Sequence, residues 1–174
     1  TILNDEVYIP AFRLYPRAKA TDVISLPIGT NWIVSFKLKS LLEKEAISDI
    51  QFIPIDIYKN DTLLNYFLLR PVVTHMESLD YSHTEILIKD VQSTHEDSKK
   101  VPDYESFQNL ENSIEYPKYL EFKKFKIRPD FALPFFSLQY TYGVPTMFVS
   151  EAFKKKLESE KITGIRFMEL DEVL

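Results

Sequence analysis

A stretch near the C-terminus of this chain repeats an earlier one. Residues 33–55 align with residues 148–170 without a gap, at a constant offset of 115. Nine of the 23 aligned positions are identical, namely Val34/Val149, Ser35/Ser150, Lys39/Lys154, Leu42/Leu157, Glu43/Glu158, Glu45/Glu160, Ile47/Ile162, Ile50/Ile165 and Phe52/Phe167. Unrelated segments would share about one or two identities, so internal duplication is the economical interpretation.

Each copy has the pattern of a strand, a helix and a second strand. Ser35 and Ser150 end short apolar runs and stand where an N-cap hydroxyl accepts a hydrogen bond from the next turn. The following apolar residues recur at helical spacing, which predicts helices near residues 36–46 and 151–161 with Leu42 and Leu157 buried. Alternation then resumes after Ser48-Asp49 in the first copy and after Thr163-Gly164 in the second.

The rest of the chain supports a mixed α and β fold. Residues 8–16 and 23–27 are short runs bounded by prolines, which is typical of edge strands. Residues 63–73, 85–91 and 118–127 alternate well enough for further strands, whereas residues 92–116 lose periodicity and predict an irregular acidic segment. At 174 residues and 45% hydrophobic content the chain suits one domain. We therefore expect a single α+β domain whose two repeat units, residues 31–58 and 146–171, share a sheet.

Composition excludes several classes of function. The chain has no cysteine, which removes thiolate zinc sites and cysteine nucleophiles. Only three glycines are present and none are clustered, so no phosphate-cradling loop can be formed and we expect no cofactor. No apolar run approaches the ~18 residues of a membrane span. The start of the chain also lacks the layout of a signal peptide, and we expect a cytoplasmic protein without membrane contacts.

Few residues are candidates for catalysis or metal binding. Asp80, Ser82 and His83 are the types of a hydrolase triad, but sequence neighbours rarely contact one another in the order that catalysis requires. His75 and His83 match no metal-ligand spacing, and His95 is most simply a surface residue. We predict no catalytic residue and no metal site. An enzyme of unrecognised type, a hydrolase using residues near 77–85, stays open as an alternative.

Three stretches resemble one known family. The C-terminal repeat (residues 148–170), its first copy (residues 33–55) and residues 66–82 are similar to immunity proteins of bacterial polymorphic toxin systems. The resemblance implies a cytoplasmic protein that binds a cognate toxin domain and neutralises it by occlusion. An interaction or scaffold protein with a partner other than a toxin is a second alternative.

Charge suggests where a toxin would bind. Residues 77–115 contain ten acidic and three basic residues. If the toxin is a nuclease with a basic cleft, an acidic inhibitor surface gains association rate and specificity. The candidate partner-binding residues are Glu96, Asp97, Asp103, Tyr104, Glu105 and Phe107, with the two rings as anchors and the acids steering the encounter. Basic and aromatic residues also interleave over 118–142, but in an acidic protein we interpret them as strands with inward rings rather than a nucleic-acid site.

Overall fold

The computed structural model describes residues 11–25, 32–94, 96–141 and 147–169. The helices there are α1 (Phe36–Lys44), α2 (Tyr104–Ser113) and α3 (Glu151–Ser159), with short 3-10 helices at Met76–Ser78 and Tyr81–His83. The strands are β1 (Phe12–Arg13), β2 (Val23–Ser25), β3 (Trp32–Ser35), β4 (Ile50–Lys59), β5 (Thr62–Pro71), β6 (Glu85–Asp90), β7 (Glu96–Lys99), β8 (Lys118–Lys124), β9 (Phe135–Ser137) and β10 (Met147–Val149). The mixed α+β class is confirmed. In this part of the chain no helix is long and apolar enough to cross a membrane.

The chain contains two compact units. Unit 1 holds the described parts of Thr1–Thr74 together with Pro134–Phe136 and Val149–Phe167. Unit 2 holds the described parts of His75–Leu133, Ser137–Phe148 and Met168–Leu174. A single domain stays a prediction from chain length.

Unit 1 is built on a five-stranded sheet with the order β1-β4-β5-β3-β2. Strands β1 and β2 lie at its two edges, as the proline-bounded runs predicted, although residues 8–10 and 26–27 of those runs lie outside the described residues. The hairpin between β4 and β5 turns at Asn60 and Asp61, whose φ angles are 47° and 65°. Two successive positive φ values match the right-handed twist of the flanking strands, and Asn and Asp tolerate them.

One face of this sheet carries a cluster of buried residues in unit 1. Ile33, Ile55, Ile57 and Tyr66 are buried together there, with Phe12 packed against them. The Tyr66 hydroxyl donates to the backbone oxygen of Thr21 at 2.6 Å, so the ring is buried while its polar end is satisfied.

The two repeat helices have the same local structure. Helices α1 and α3 begin and end at positions offset by 115. The Leu38 amide donates to the Ser35 hydroxyl at 3.2 Å, and the Phe153 amide donates to the Ser150 hydroxyl at 3.2 Å. The predicted N-caps are therefore confirmed.

The helices also end alike. Ala46 and Lys161 follow the C-caps and both have a φ of 53°. The next residue in each copy closes the helix, because the Ile47 amide donates to the Leu42 carbonyl and the Ile162 amide donates to the Leu157 carbonyl. Leu42 and Leu157 are both buried, as expected.

The correspondence continues beyond the helices to two half-buried rings. The Lys39 ammonium lies 5.4 Å from the ring centre of Phe52, and the Lys154 ammonium lies 6.0 Å from that of Phe167. Cations above aromatic faces are attracted by the ring quadrupole. All four residues belong to identical pairs of the alignment, so the duplication is visible in contacts as well as in sequence.

The expectation of a shared sheet is wrong for the described residues. Strand β3 belongs to the five-stranded sheet, whereas β10 pairs with β9 in a two-stranded sheet. The closing strand of the second copy is also missing, since residues 165–169 form no strand while their counterparts begin β4. Strand β4 is extended because β5 pairs along its whole length, and no described strand pairs with residues 165–169.

The second copy docks on the start of β2 instead. The Val23 amide donates to the Thr163 carbonyl at 3.0 Å. Gly164 has a φ of +86°, and a Cβ atom there would lie 2.2 Å from the Val23 oxygen. Only glycine fits such a close approach without strain.

Asp22 connects the two copies within unit 1. Its carboxylate accepts from the Ser35 hydroxyl at 2.7 Å, from the Thr163 amide at 2.9 Å and from the Thr163 hydroxyl at 2.8 Å. Burial alone would raise the pKa of Asp22, but these hydrogen bonds outweigh it and hold the pKa below its ordinary value. The charged carboxylate therefore joins the N-cap of α1 to the segment that follows α3.

Unit 2 contains a three-stranded sheet with the order β7-β6-β8 and the helix α2. The prediction that residues 92–116 are irregular is wrong, because β7 and α2 lie within them. Strand β7 has the sequence Glu-Asp-Ser-Lys and pairs with β6 through its backbone, so it needs no apolar alternation. In α2 the residues Tyr104, Phe107, Leu110 and Ile114 do recur at helical spacing, a signal hidden among acidic neighbours.

Candidate partner-binding surface

Strand β7 places Glu96 and Asp97 at the edge of the unit 2 sheet. All four β7 side chains are exposed. Glu96 lies opposite Lys89 and Asp97 lies opposite Ile88, so the two acids point to opposite faces of the sheet. Charged side chains on an edge strand also discourage pairing with another strand.

Lys89 lies between two carboxylates. Its ammonium is 3.0 Å from Glu121 and 3.2 Å from Glu96, and these hydrogen bonds raise the pKa of Lys89. The second carboxylate oxygen of Glu121 is buried without a hydrogen-bond partner. One cation for two acids leaves this face of the sheet with a surplus of negative charge.

The first turn of α2 carries two of the predicted acids in different roles. Asp103 is the N-cap, and its carboxylate accepts from the Ser106 amide at 2.8 Å, which lowers the pKa of Asp103. This role is structural, because it satisfies an orphan amide of the helix. Glu105 is exposed in the same turn, where a negative charge is favoured by the helix dipole.

The predicted anchor Phe107 belongs to the core of unit 2. Its side chain is 0% exposed. Its ring centre lies 5.2 Å from that of Tyr81 and 5.8 Å from that of Phe122. Tyr104 is half-buried and stacks on Tyr81 at 6.1 Å. Phe107 is thus unavailable to a partner, and Tyr104 offers only part of its ring.

Three exposed apolar side chains where β6 ends and β8 begins were missed by the sequence patterns. Val91, Tyr116 and Tyr119 are 62%, 84% and 38% exposed. The alternation in β8 carried part of the signal, since buried Leu120 and Phe122 place Tyr119 outside the core. Nothing in the sequence distinguishes Tyr116 from a packed ring.

The hydrolase candidates contact one another in the wrong order for a triad. The Nδ1 atom of His83 lies 3.0 Å from the Ser82 hydroxyl and 2.7 Å from the Asp80 carboxylate. A triad uses one imidazole nitrogen for the acid and the other for the nucleophile. Here Ser82 also donates to Asp80 at 2.6 Å, and the hydrogen bonds from Ser82 and His83 lower the pKa of Asp80. These hydrogen bonds join residues of the 3-10 helix Tyr81–His83 to its N-cap Asp80, and their geometry does not support hydrolysis.

The histidines do not gather into a metal site in the described ranges. His75 is buried, with its Nδ1 atom 2.8 Å from Glu77 and its ring 5.7 Å from that of Phe131. His95 lies outside the described residues. No group of three or more His, Asp and Glu side chains among the residues that the structure describes could hold a metal ion.

Residues 9–172 match the family model described as Immunity protein family (Imm11). No curated protein and no solved structure matches the chain.

Proposed function

Because the chain belongs to the Imm11 immunity protein family, we propose that it binds a cognate toxin domain and neutralises it by covering the toxin's active site or a surface the toxin needs. Family membership confirms the resemblance that the repeats indicated and supports an immunity function. Direct binding, the occlusion mechanism and a cytoplasmic location are parts of the proposal.

The observation that carries the proposed mechanism is the acidic edge of unit 2. Glu96 and Asp97 are exposed on both faces of an edge strand, and Glu105 is exposed at the start of α2. Strand β7 ends at the exposed Lys99, but residues 77–115 as a whole hold ten acids against three bases. An acidic surface complements a basic one, and nucleases line their clefts with Lys and Arg to hold phosphates. We therefore propose that the toxin presents a basic surface, such as a nuclease cleft, to this edge.

The test measures association with a toxin domain from a neighbouring reading frame, made catalytically inactive. The test variant is Asp97→Lys with Glu105→Lys. Asp103 is left intact because its substitution would remove the N-cap of α2. The control variant is Asp56→Lys with Glu158→Lys, which makes the same charge change at exposed sites of unit 1.

We expect the unit 2 variant to slow association about tenfold or more at low salt, with a smaller effect at high salt. The control should change the rate much less, because its charges belong to unit 1 and not to the acidic edge. Equal slowing by both variants would mean that the association rate depends on the net charge of the whole protein and not on the acidic edge. Absence of binding by the wild-type protein would refute the proposed function itself.

A further inference from the structure

We propose that Val91, Tyr116 and Tyr119 form an apolar anchor for the toxin's basic surface, so that this tyrosine patch supplies binding energy where Phe107 cannot. The inference rests on the proposed function and assigns a specific contact to it. The occupant is a protein surface that brings apolar groups to the rings and Lys or Arg to the surrounding acids.

The backbone brings the three residues to one end of the unit 2 sheet. Val91 follows β6, and its amide donates to the Pro117 carbonyl at 3.1 Å. Tyr116 directly precedes that proline, and Tyr119 lies opposite Lys89 in the β6–β8 ladder. Val91 and Tyr119 are therefore diagonal neighbours across the strands, within reach of a single aromatic side chain of a partner.

These three exposed side chains belong to one end of a single sheet. Isolated apolar residues at a surface need no explanation, whereas contiguous ones mark interaction sites. Tyrosine is also enriched at binding hot spots, because its ring contributes apolar area while its hydroxyl stays satisfied at a wet rim. A patch with two exposed tyrosines has the composition of an interface centre.

The charges around the patch select a basic protein partner. Residues 89–96 and 114–121, which surround the patch in sequence, contribute four acids and two lysines, namely Asp90, Glu96, Glu115, Glu121, Lys89 and Lys118. Lys89 is shared between Glu96 and Glu121, so one cation compensates two of these acids. Nucleic acid or an anionic membrane would be repelled by this surplus of negative charge.

The patch is continuous with the acidic edge. Glu96 begins β7 and lies opposite Lys89, and Lys89 in turn lies opposite Tyr119, so the two surfaces adjoin. A stable interface buries about 800 Å² on each partner, which is more than three side chains provide, so the interface would include the acidic edge as well as the patch. Exposed rings at its centre and acids around them would follow the usual arrangement of a hot spot inside a polar rim.

The experiment compares Tyr116→Ala and Tyr119→Ala, made separately, with Tyr15→Ala as the matched control. Tyr15 is 73% exposed and belongs to unit 1, so it tests removal of an exposed tyrosine ring outside the patch. Affinity for the inactive toxin domain is measured by calorimetry and dissociation by surface plasmon resonance. Thermal unfolding of each variant verifies that it is folded.

We expect at least one patch variant to weaken binding roughly 30-fold or more through faster dissociation, while Tyr15→Ala stays within about twofold. Undiminished binding by both patch variants would overturn the anchor and leave the proposed function standing. Failure of the wild-type protein to bind would overturn both. A wild-type dimer that Tyr116→Ala dissociates without loss of toxin binding would assign the patch to self-association and also overturn the anchor.

Discussion

The two N-cap serines should differ in energetic weight although their helix caps are alike. Ser35 caps α1 and also donates to Asp22 at 2.7 Å, whereas the described contact of the Ser150 hydroxyl is with the Phe153 amide. Replacing an N-cap serine by alanine costs about 1 kcal/mol. A hydrogen bond to a charged group contributes roughly 1.5–3 kcal/mol, and partial exposure of Asp22 reduces that to about 1 kcal/mol. We expect Ser35→Ala to destabilise by about 2 kcal/mol and Ser150→Ala by about 1 kcal/mol.

The single tryptophan allows the unfolding free energies of these variants to be measured by fluorescence. Trp32 begins β3, the strand that ends at Ser35, so its fluorescence reports unfolding of unit 1 in urea. A double-mutant cycle with Asp22→Asn isolates the carboxylate contact. The coupling free energy should be about 1 kcal/mol with Ser35 and near zero with Ser150.

The same difference should depend on pH with a defined sign. The folded-state pKa of Asp22 is lowered, so its stabilising contribution is complete above the ordinary value of 3.8 and is lost as the pH falls through the lowered pKa. The two serine variants should therefore differ at pH 7 and converge in acid. Equal costs at pH 7, or a coupling of Asp22 to Ser150 as large as that to Ser35, would refute the reasoning.

Two further predictions test the duplicated helices. Leu42→Ala and Leu157→Ala should each lower the free energy of unfolding by about 2–5 kcal/mol, because both side chains are buried. The exposed-site variant Glu158→Ala is the control, and a loss of stability in urea melts no larger than that of the control would contradict the prediction. Ala46→Gly and Lys161→Gly should each raise the free energy of unfolding by up to about 1 kcal/mol, because glycine adopts the φ of 53° at no steric cost. Destabilisation in the same urea melts would show that the backbone at these two residues is not strained.

The sequence predicted local structure well wherever one short segment determines it. Serine caps, helical spacing and the turn residues Ser48-Asp49 and Thr163-Gly164 predicted both repeat helices. Sheet membership could not be predicted in this way, because it depends on which distant strand supplies hydrogen bonds. Residues 50 and 165 are both isoleucine, yet only the first begins a strand.

The candidate surface was harder to predict for a related reason. Phe107 and Tyr116 are aromatic residues in acidic surroundings, and composition alone treats them alike. Burial separates them, since Phe107 packs against Tyr81 and Phe122 while Tyr116 lies at a sheet end. Exposure of a ring is decided by tertiary contacts, which a local pattern does not contain.

The contact between Asp22 and Thr163 also sets an order of events during synthesis. The two residues are 141 positions apart, and a ribosome adding about 5–20 residues per second needs roughly 7–28 s to make the intervening chain. Throughout that interval the carboxylate can use Ser35 but not Thr163. Unit 1 of a nascent chain is therefore complete only after α3 and the turn that follows it have been synthesised. Residues 75–133 of unit 2, in contrast, are synthesised as one continuous segment.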